Sequence, residues 1–212
     1  MISTHRRFFK KNLRLRERAE YIYAWPSSNP EWEFKYLSFS LLSDIWQNWC
    51  TFCREVILKS CVGANSRSGT IIYPRSRINS WQRIAYETKQ ASKGRTIDAT
   101  STVTFRRHEP TWGDINLLLT AIPRLSISNA NNLLTGFGLS LYAPRHIQII
   151  RNACVHTDSE SMQEVRNLMI YYIGTGLKNP IDLMWWLESV TKTDAIFFWL
   201  EELEIIADYV TS

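Results

Sequence analysis

The sequence predicts a mostly α-helical protein with a loop or small β insertion between its helices. Apolar residues recur every three or four positions through residues 31–62 and again beyond Asp114, the spacing of a helix with one buried face. Residues 63–112 lose that period and are rich in Gly, Ser, Thr and Arg. Hydrophobic residues make up 45% of the chain, with nine each of Trp, Tyr and Phe. A real core is therefore available, and a single domain over residues 1–212 is expected.

The elements follow in order. Residues 6–25 read as a helix, with Phe8, Phe9, Leu13, Leu15 and Ile22 set among basic residues. Pro26-Ser27-Ser28-Asn29-Pro30 breaks it, because proline and small polar residues favour turns. The stripe Phe34, Leu37, Leu41, Ile45, Trp49, Phe52 and Val56 predicts one long helix from Glu31 to Val62, closed by Gly63-Ala64-Asn65-Ser66. Within the insertion, Thr70–Tyr73 and Thr102–Phe105 read as short strands or extended loop. Helical segments resume near 114–122, 129–140, 144–156, 160–173, 180–190 and 194–210. Pro123, Gly136 with Gly138, Thr157-Asp158, Gly174 with Gly176, and Lys192-Thr193 separate them. Asp194 is placed to cap the last helix.

Charge is distributed unevenly. Residues 1–150 hold 21 of the 25 Lys and Arg but only half of the 20 Asp and Glu. A basic body favours a polyanionic partner. No apolar run approaches the roughly 18 residues of a membrane helix, and no apolar stretch follows the basic N-terminus as a secretory signal requires. Four irregularly spaced cysteines fit a reducing compartment better than a disulfide framework, so a cytoplasmic location is expected.

Candidate chemistry concentrates in Arg151-Asn152-Ala153-Cys154-Val155-His156. An imidazole moves protons near neutral pH, a guanidinium holds phosphate, and an amide orients either one. With Pro144 in the first helical turn, Ile147, Ile150 and Cys154 share the core face. Arg145, Ile149, Asn152 and His156 share the opposite face. Arg151 lies at the border, roughly 140° from His156 on a straight helix. Two arrangements bring them together: the helix ends near Val155 and re-aims His156, or a two-fold dimer sets two copies face to face. Ile149 on the polar stripe suits the second.

The motif resembles the Arg-polar-x-x-x-His signature of the HEPN superfamily, the higher eukaryote and prokaryote nucleotide-binding domains. Asn131-Asn132-Leu133-Leu134 and Tyr142-Ala143-Pro144-Arg145-His146, followed by an apolar helix, are similar to the last helices of such domains. Leu41 to Ser60 is similar to their long first helix. The resemblance covers residues 31–62 and 114–175. It implies an all-α, HEPN-like helical bundle, usually dimeric, with a composite cleft. It further implies a metal-independent endoribonuclease of a toxin–antitoxin or antiphage system, with RNA, a second copy and an antitoxin or defence partner as its partners. Arg151 and His156 are then the catalytic pair and Asn152 the residue that orients them. Arg145 and His146 are candidates for RNA contact, and no metal or cofactor is expected. The alternative is a catalytically inactive HEPN-like module that binds RNA, a nucleotide or a partner protein. Some family members carry a Tyr two positions after the His, where AMP is attached; here Asp158 stands there.

Other features read as structural. Trp49-Cys50-Thr51-Phe52-Cys53 has the Trp-Cys-x-x-Cys spacing of thioredoxins, yet no strand precedes it and the segment reads as mid-helix core. Arg106-Arg107-His108 reads as an exposed loop. Arg6, Arg7, Lys10, Lys11, Arg14, Arg16 and Arg18 form an RNA-facing helix, a merely solvated helix face or a surface that meets an acidic antitoxin. Trp185-Trp186 and Phe197-Phe198-Trp199 read as core or dimer contacts. Asp182, Glu188, Glu201, Glu202 and Glu204 read as surface.

Overall fold

The computed structural model describes residues 1–26, 28, 30–156 and 158–212. The expected turn positions Ser27, Asn29 and Thr157 lie outside them. Helix accounts for 65% and strand for 4%, so the protein is mostly helical, as an all-α class requires. The helices are α1 (Ile2–Tyr23), α2 (Glu31–Val62), α3 (Trp81–Ser92), α4 (Ile115–Ala121), α5 (Ala130–Phe137), α6 (Ala143–Val155), α7 (Ser159–Asn167) and α8 (Ala195–Thr211). Two antiparallel pairs accompany them. In one, β1 (Ala64–Asn65) pairs with β2 (Ile71–Ile72); in the other, β3 (Tyr172–Ile173) pairs with β4 (Leu187–Glu188).

Several boundaries follow from local chemistry. Trp25 precedes Pro26, which disfavours helical backbone there, and α1 has already ended at Tyr23. Gly63 closes α2 with φ 96°, a left-handed conformation that glycine adopts without a Cβ penalty. A Cβ there would also come within 3.0 Å of Pro74.

The chain forms two compact units. The first comprises Met1–Phe8, Trp49–Ser140 and Ile205–Ser212; the second comprises Phe9–Asn48 and Leu141–Glu204.

In the first unit, Trp49 and Phe52 of α2 stack at 5.6 Å, Phe137 of α5 meets Trp49 edge-on, and Phe8 of α1 packs on Phe52. The Trp49 indole donates to the Gly113 carbonyl at 3.1 Å. Cys53 is buried, and burial pushes its thiol well above its ordinary value. A protonated, inaccessible thiol is a poor nucleophile, so the Trp-Cys-x-x-Cys run is core. Near the C-terminal end, Asp208 of α8 forms an ion pair with Arg67 at 2.7 Å and lies 2.7 Å from the His5 ring.

The insertion differs from its expected loop or strand character. Ile71–Ile72 is a strand, but Thr102–Phe105 is not, and residues 81–92 form α3. Ser80 caps it, its hydroxyl accepting from the Arg83 amide. The apolar period is hidden because two of the buried positions on this helix are charged, Arg83 and Glu87, alongside Ile84, Ala85, Thr88 and Ala91. Glu87 Oε1 accepts from Arg83 Nε at 2.6 Å and Oε2 from Arg75 Nη1 at 2.5 Å. Arg75 also donates to Asn79 and to the Ile78 carbonyl, and Arg83 to the carbonyls of Asp98 and Ser101. Two arginines expected in the basic surface are thus interior.

In the second unit, Leu41, Leu42 and Ile45 of α2, Ile147 and Ile150 of α6, and Trp199 and Leu200 of α8 are fully or almost fully buried. The helix expected over 180–190 is a 3₁₀ turn at Pro180–Trp185 followed by β4, and the one expected over 160–173 stops at Asn167. Gly174 is required by a close approach: a Cβ there would sit 2.1 Å from the Trp186 indole. Glu188 and Glu202, expected at the surface, are both 4% exposed.

Removing one partner of a buried, fully hydrogen-bonded charge network leaves the others unpaired. Glu87→Gln is therefore expected to destabilise the fold by about 3–5 kcal/mol, read as a lower urea midpoint. An unchanged midpoint would show that the network contributes no net stability.

Candidate functional site

The second unit builds the candidate site on α6. Pro144 occupies its first turn, where a missing N–H is harmless. The free amides of Tyr142 and Ala143 donate to Glu202 Oε2 at 2.8 and 2.7 Å. A carboxylate at a helix N-terminus satisfies orphan donors and complements the helix dipole. Burial raises the Glu202 pKa, opposed by these two amide bonds. Sequence reasoning placed this residue at the surface because its partners lie far away in the chain.

One turn on, His146 is only 3% exposed. Its ring lies nearly parallel to Tyr142, centroids 5.4 Å apart. The Trp199 indole N–H donates to the Tyr172 hydroxyl oxygen at 2.7 Å, and that hydroxyl lies 2.5 Å from His146 Nδ1. An indole only donates. The Tyr172 hydroxyl is then free to donate to Nδ1, an arrangement that suits a neutral imidazole with its proton on Nε2. Burial, helped by the neighbouring Arg145 charge, lowers the His146 pKa to about 4. His146 is thus an interior packing residue and presents no surface to RNA. Arg145 is exposed.

The two faces of α6 fall where the period places them. Ile147 and Ile150 are buried and Cys154 half-buried; Arg145 and His156 are exposed, and Ile149 and Asn152 half-buried. Arg151 is half-buried and its Nη1 donates to Asn152 Oδ1 at 3.3 Å. The helix ends at Val155. The His156 amide still donates to the Asn152 carbonyl at 2.8 Å, but its backbone turns extended, with φ −108° and ψ 98°. The cause lies two residues on: Asp158, also extended, caps α7 by accepting from the Ser161 amide. Those bonds hold the Asp158 carboxyl below its ordinary value. Burial and the Asp182 charge push the Cys154 thiol to about 11, against the pull of Arg151, so this cysteine is no nucleophile.

The structure thus joins Arg151 to Asn152 and frees His156 from the helix. Among the described residues, no hydrogen bond links the His156 imidazole to either. What results is an exposed imidazole four residues after a guanidinium–amide couple, with Arg145 exposed near the other end of the same helix. No protein-family model, no curated protein and no solved structure matches this chain.

The buried imidazole has a consequence for acid stability. An unfolded His146 takes up its proton near its ordinary value of 6.5, the folded one near 4. Between those values the unfolded state binds more protons, so stability falls as pH falls. The contribution is complete above about 6.5 and amounts to roughly 3 kcal/mol lost by about pH 4. His146→Gln, which cannot titrate, is expected to flatten this part of the stability–pH curve measured by denaturant unfolding. An identical slope in the variant would show that His146 is not buried as a neutral ring.

Proposed function

We propose that this protein is a metal-independent endoribonuclease of HEPN-like architecture, acting as a homodimer within a toxin or antiphage system. The observation that carries the reading is the end of α6: His156 leaves the helix exposed, directly after the half-buried Arg151–Asn152 couple. The arginine-rich first 150 residues support a polyanionic substrate, because Lys and Arg neutralise phosphates.

In this reading His156 accepts the proton of an RNA 2′-hydroxyl as its oxygen attacks the adjacent phosphorus. Arg151 stabilises the charge that builds on the phosphorane oxygens, with Asn152 holding its guanidinium. His156 then returns that proton to the departing 5′-oxygen as its bond to phosphorus breaks, giving a 2′,3′-cyclic phosphate and a 5′-hydroxyl end. Arg145 binds a neighbouring phosphate. A second copy completes the cleft, since Arg151 and His156 share no bond within one chain. Val155, 47% exposed next to His156, offers apolar surface to that copy.

The test is incubation of the purified full chain with total RNA in excess EDTA, followed by analysis of the fragment ends. Cyclic-phosphate ends are expected from wild type. His156→Ala is expected to reduce cleavage by about 10²–10⁴ and Arg151→Ala by about 10²–10³, both with unchanged helical circular dichroism. Wild type that binds RNA without cutting it would instead establish a binding module. A shared cleft carries a further expectation: mixing the two inactive variants regenerates intact sites and restores cleavage. Full activity of a protein that light scattering shows to be monomeric would falsify the composite site.

A further inference from the structure

The first unit contains a pocket of about 860 Å³ that none of Arg145, Arg151, Asn152 and His156 enters. It opens against α3, the loops on either side of that helix, and the 3₁₀ turn at Ile122–Arg124. We propose that this pocket binds a small organic phosphate, gripped by Arg77 and Arg124 against a wall made rigid by the buried Arg75–Glu87–Arg83 network.

The charge arrangement favours an anion. Three lining residues are arginines, Arg77, Arg83 and Arg124, and the single lining carboxylate is Glu87. That carboxylate is already engaged, one oxygen by Arg83 and the other by Arg75. Arg77 is therefore a third guanidinium around a satisfied acid. It stays 45% exposed, its Nη1 3.9 Å from Glu87 Oε2, beyond hydrogen-bond range, and it has no hydrogen-bond acceptor among the described residues. Arg124 is held in place by donating to the carbonyls of Ala91 and Arg95.

Geometry distinguishes phosphate from carboxylate. A planar carboxylate is satisfied by one guanidinium fork. Here the cations come from two separate segments, and Ser76, Thr96 and Ser126 are also lining residues. Donors converging from several directions suit a tetrahedral group with three free oxygens. Inorganic phosphate fills only a small part of this volume. Ile78, Ile97, Ala99 and Pro123 line the pocket too, so an organic body has apolar surface to rest on, as in small-molecule sites of roughly 300–1,000 Å³. The wall is preorganised: Arg83 is fixed by Glu87 and two carbonyls, which reduces the ordering that binding requires.

Isothermal titration of the full chain with ribose 5-phosphate, AMP, inorganic phosphate, adenosine and citrate tests this. The two organic phosphates are expected to bind saturably at one site per chain and more tightly than inorganic phosphate, with adenosine and citrate silent. A preference between ribose 5-phosphate and AMP identifies whether a sugar or a nucleoside body is the fit. Arg77→Gln removes an exposed side chain and keeps the buried network. It is expected to weaken binding at least about tenfold, as is Arg124→Gln, with circular dichroism unchanged. No saturable binding of either organic phosphate overturns the proposal. So does binding that neither variant weakens, or citrate binding as tight as phosphate.

Discussion

A carboxylate buried at a helix end is tolerated only when donors there compensate for its lost hydration. Glu202 meets that condition by accepting the Tyr142 and Ala143 amides at the start of α6. This bond sets where α6 begins and how it is aimed, and every candidate catalytic side chain is carried by that helix or leaves from its end. The same anchor brings Tyr142 over His146, whose ring is fixed in turn by Tyr172 and Trp199. Arg151 and Asn152 thus project from a helix whose N-terminal half is held by a largely buried polar network.

The first unit solves a related problem with the opposite sign. Burying Arg75 and Arg83 is possible because Glu87 and five backbone or amide acceptors meet their donors. Both residues then cease to belong to the basic surface. Among the arginines that line the pocket against α3, the less engaged guanidinium groups are those of Arg77 and Arg124. A charge count along the chain measures total cations; the ones available to an anion are those the interior has not consumed.

Dynamics and chemistry divide along α6 in the same way. The N-terminal half, with His146 held neutral by burial, is built for rigidity. The C-terminal end, where His156 turns extended under the demand of the next helix cap, leaves an imidazole in solvent. Two histidines ten residues apart thus sit in opposite environments, one buried and one exposed. The same contrast separates Arg145, free in solvent, from Arg151, half-buried against Asn152.

Much of this was legible in the sequence because it is decided locally. The period of apolar residues placed α2 from Glu31 to Val62 and both faces of α6, and Pro144 marked where α6 begins. The end of α6 at Val155, one of two arrangements the spacing left open, is set by Asp158 capping the next helix. The helix α3 escaped notice because its buried side carries Arg83 and Glu87, which break the apolar pattern. The interior places of Glu202 and His146 were equally hidden: a lone Glu or His reads as surface or ligand until its partners are known. Those partners lie 59 residues away for Glu202 and 26 for His146. Sequence by itself therefore determined the helices with a clear apolar period, such as α2 and α6, their faces and the order of the chemical groups, because backbone propensity and periodicity act over a few residues. Only the tertiary structure decided which charged groups are buried and which remain free, because that depends on desolvation and on partners brought together from distant parts of the chain.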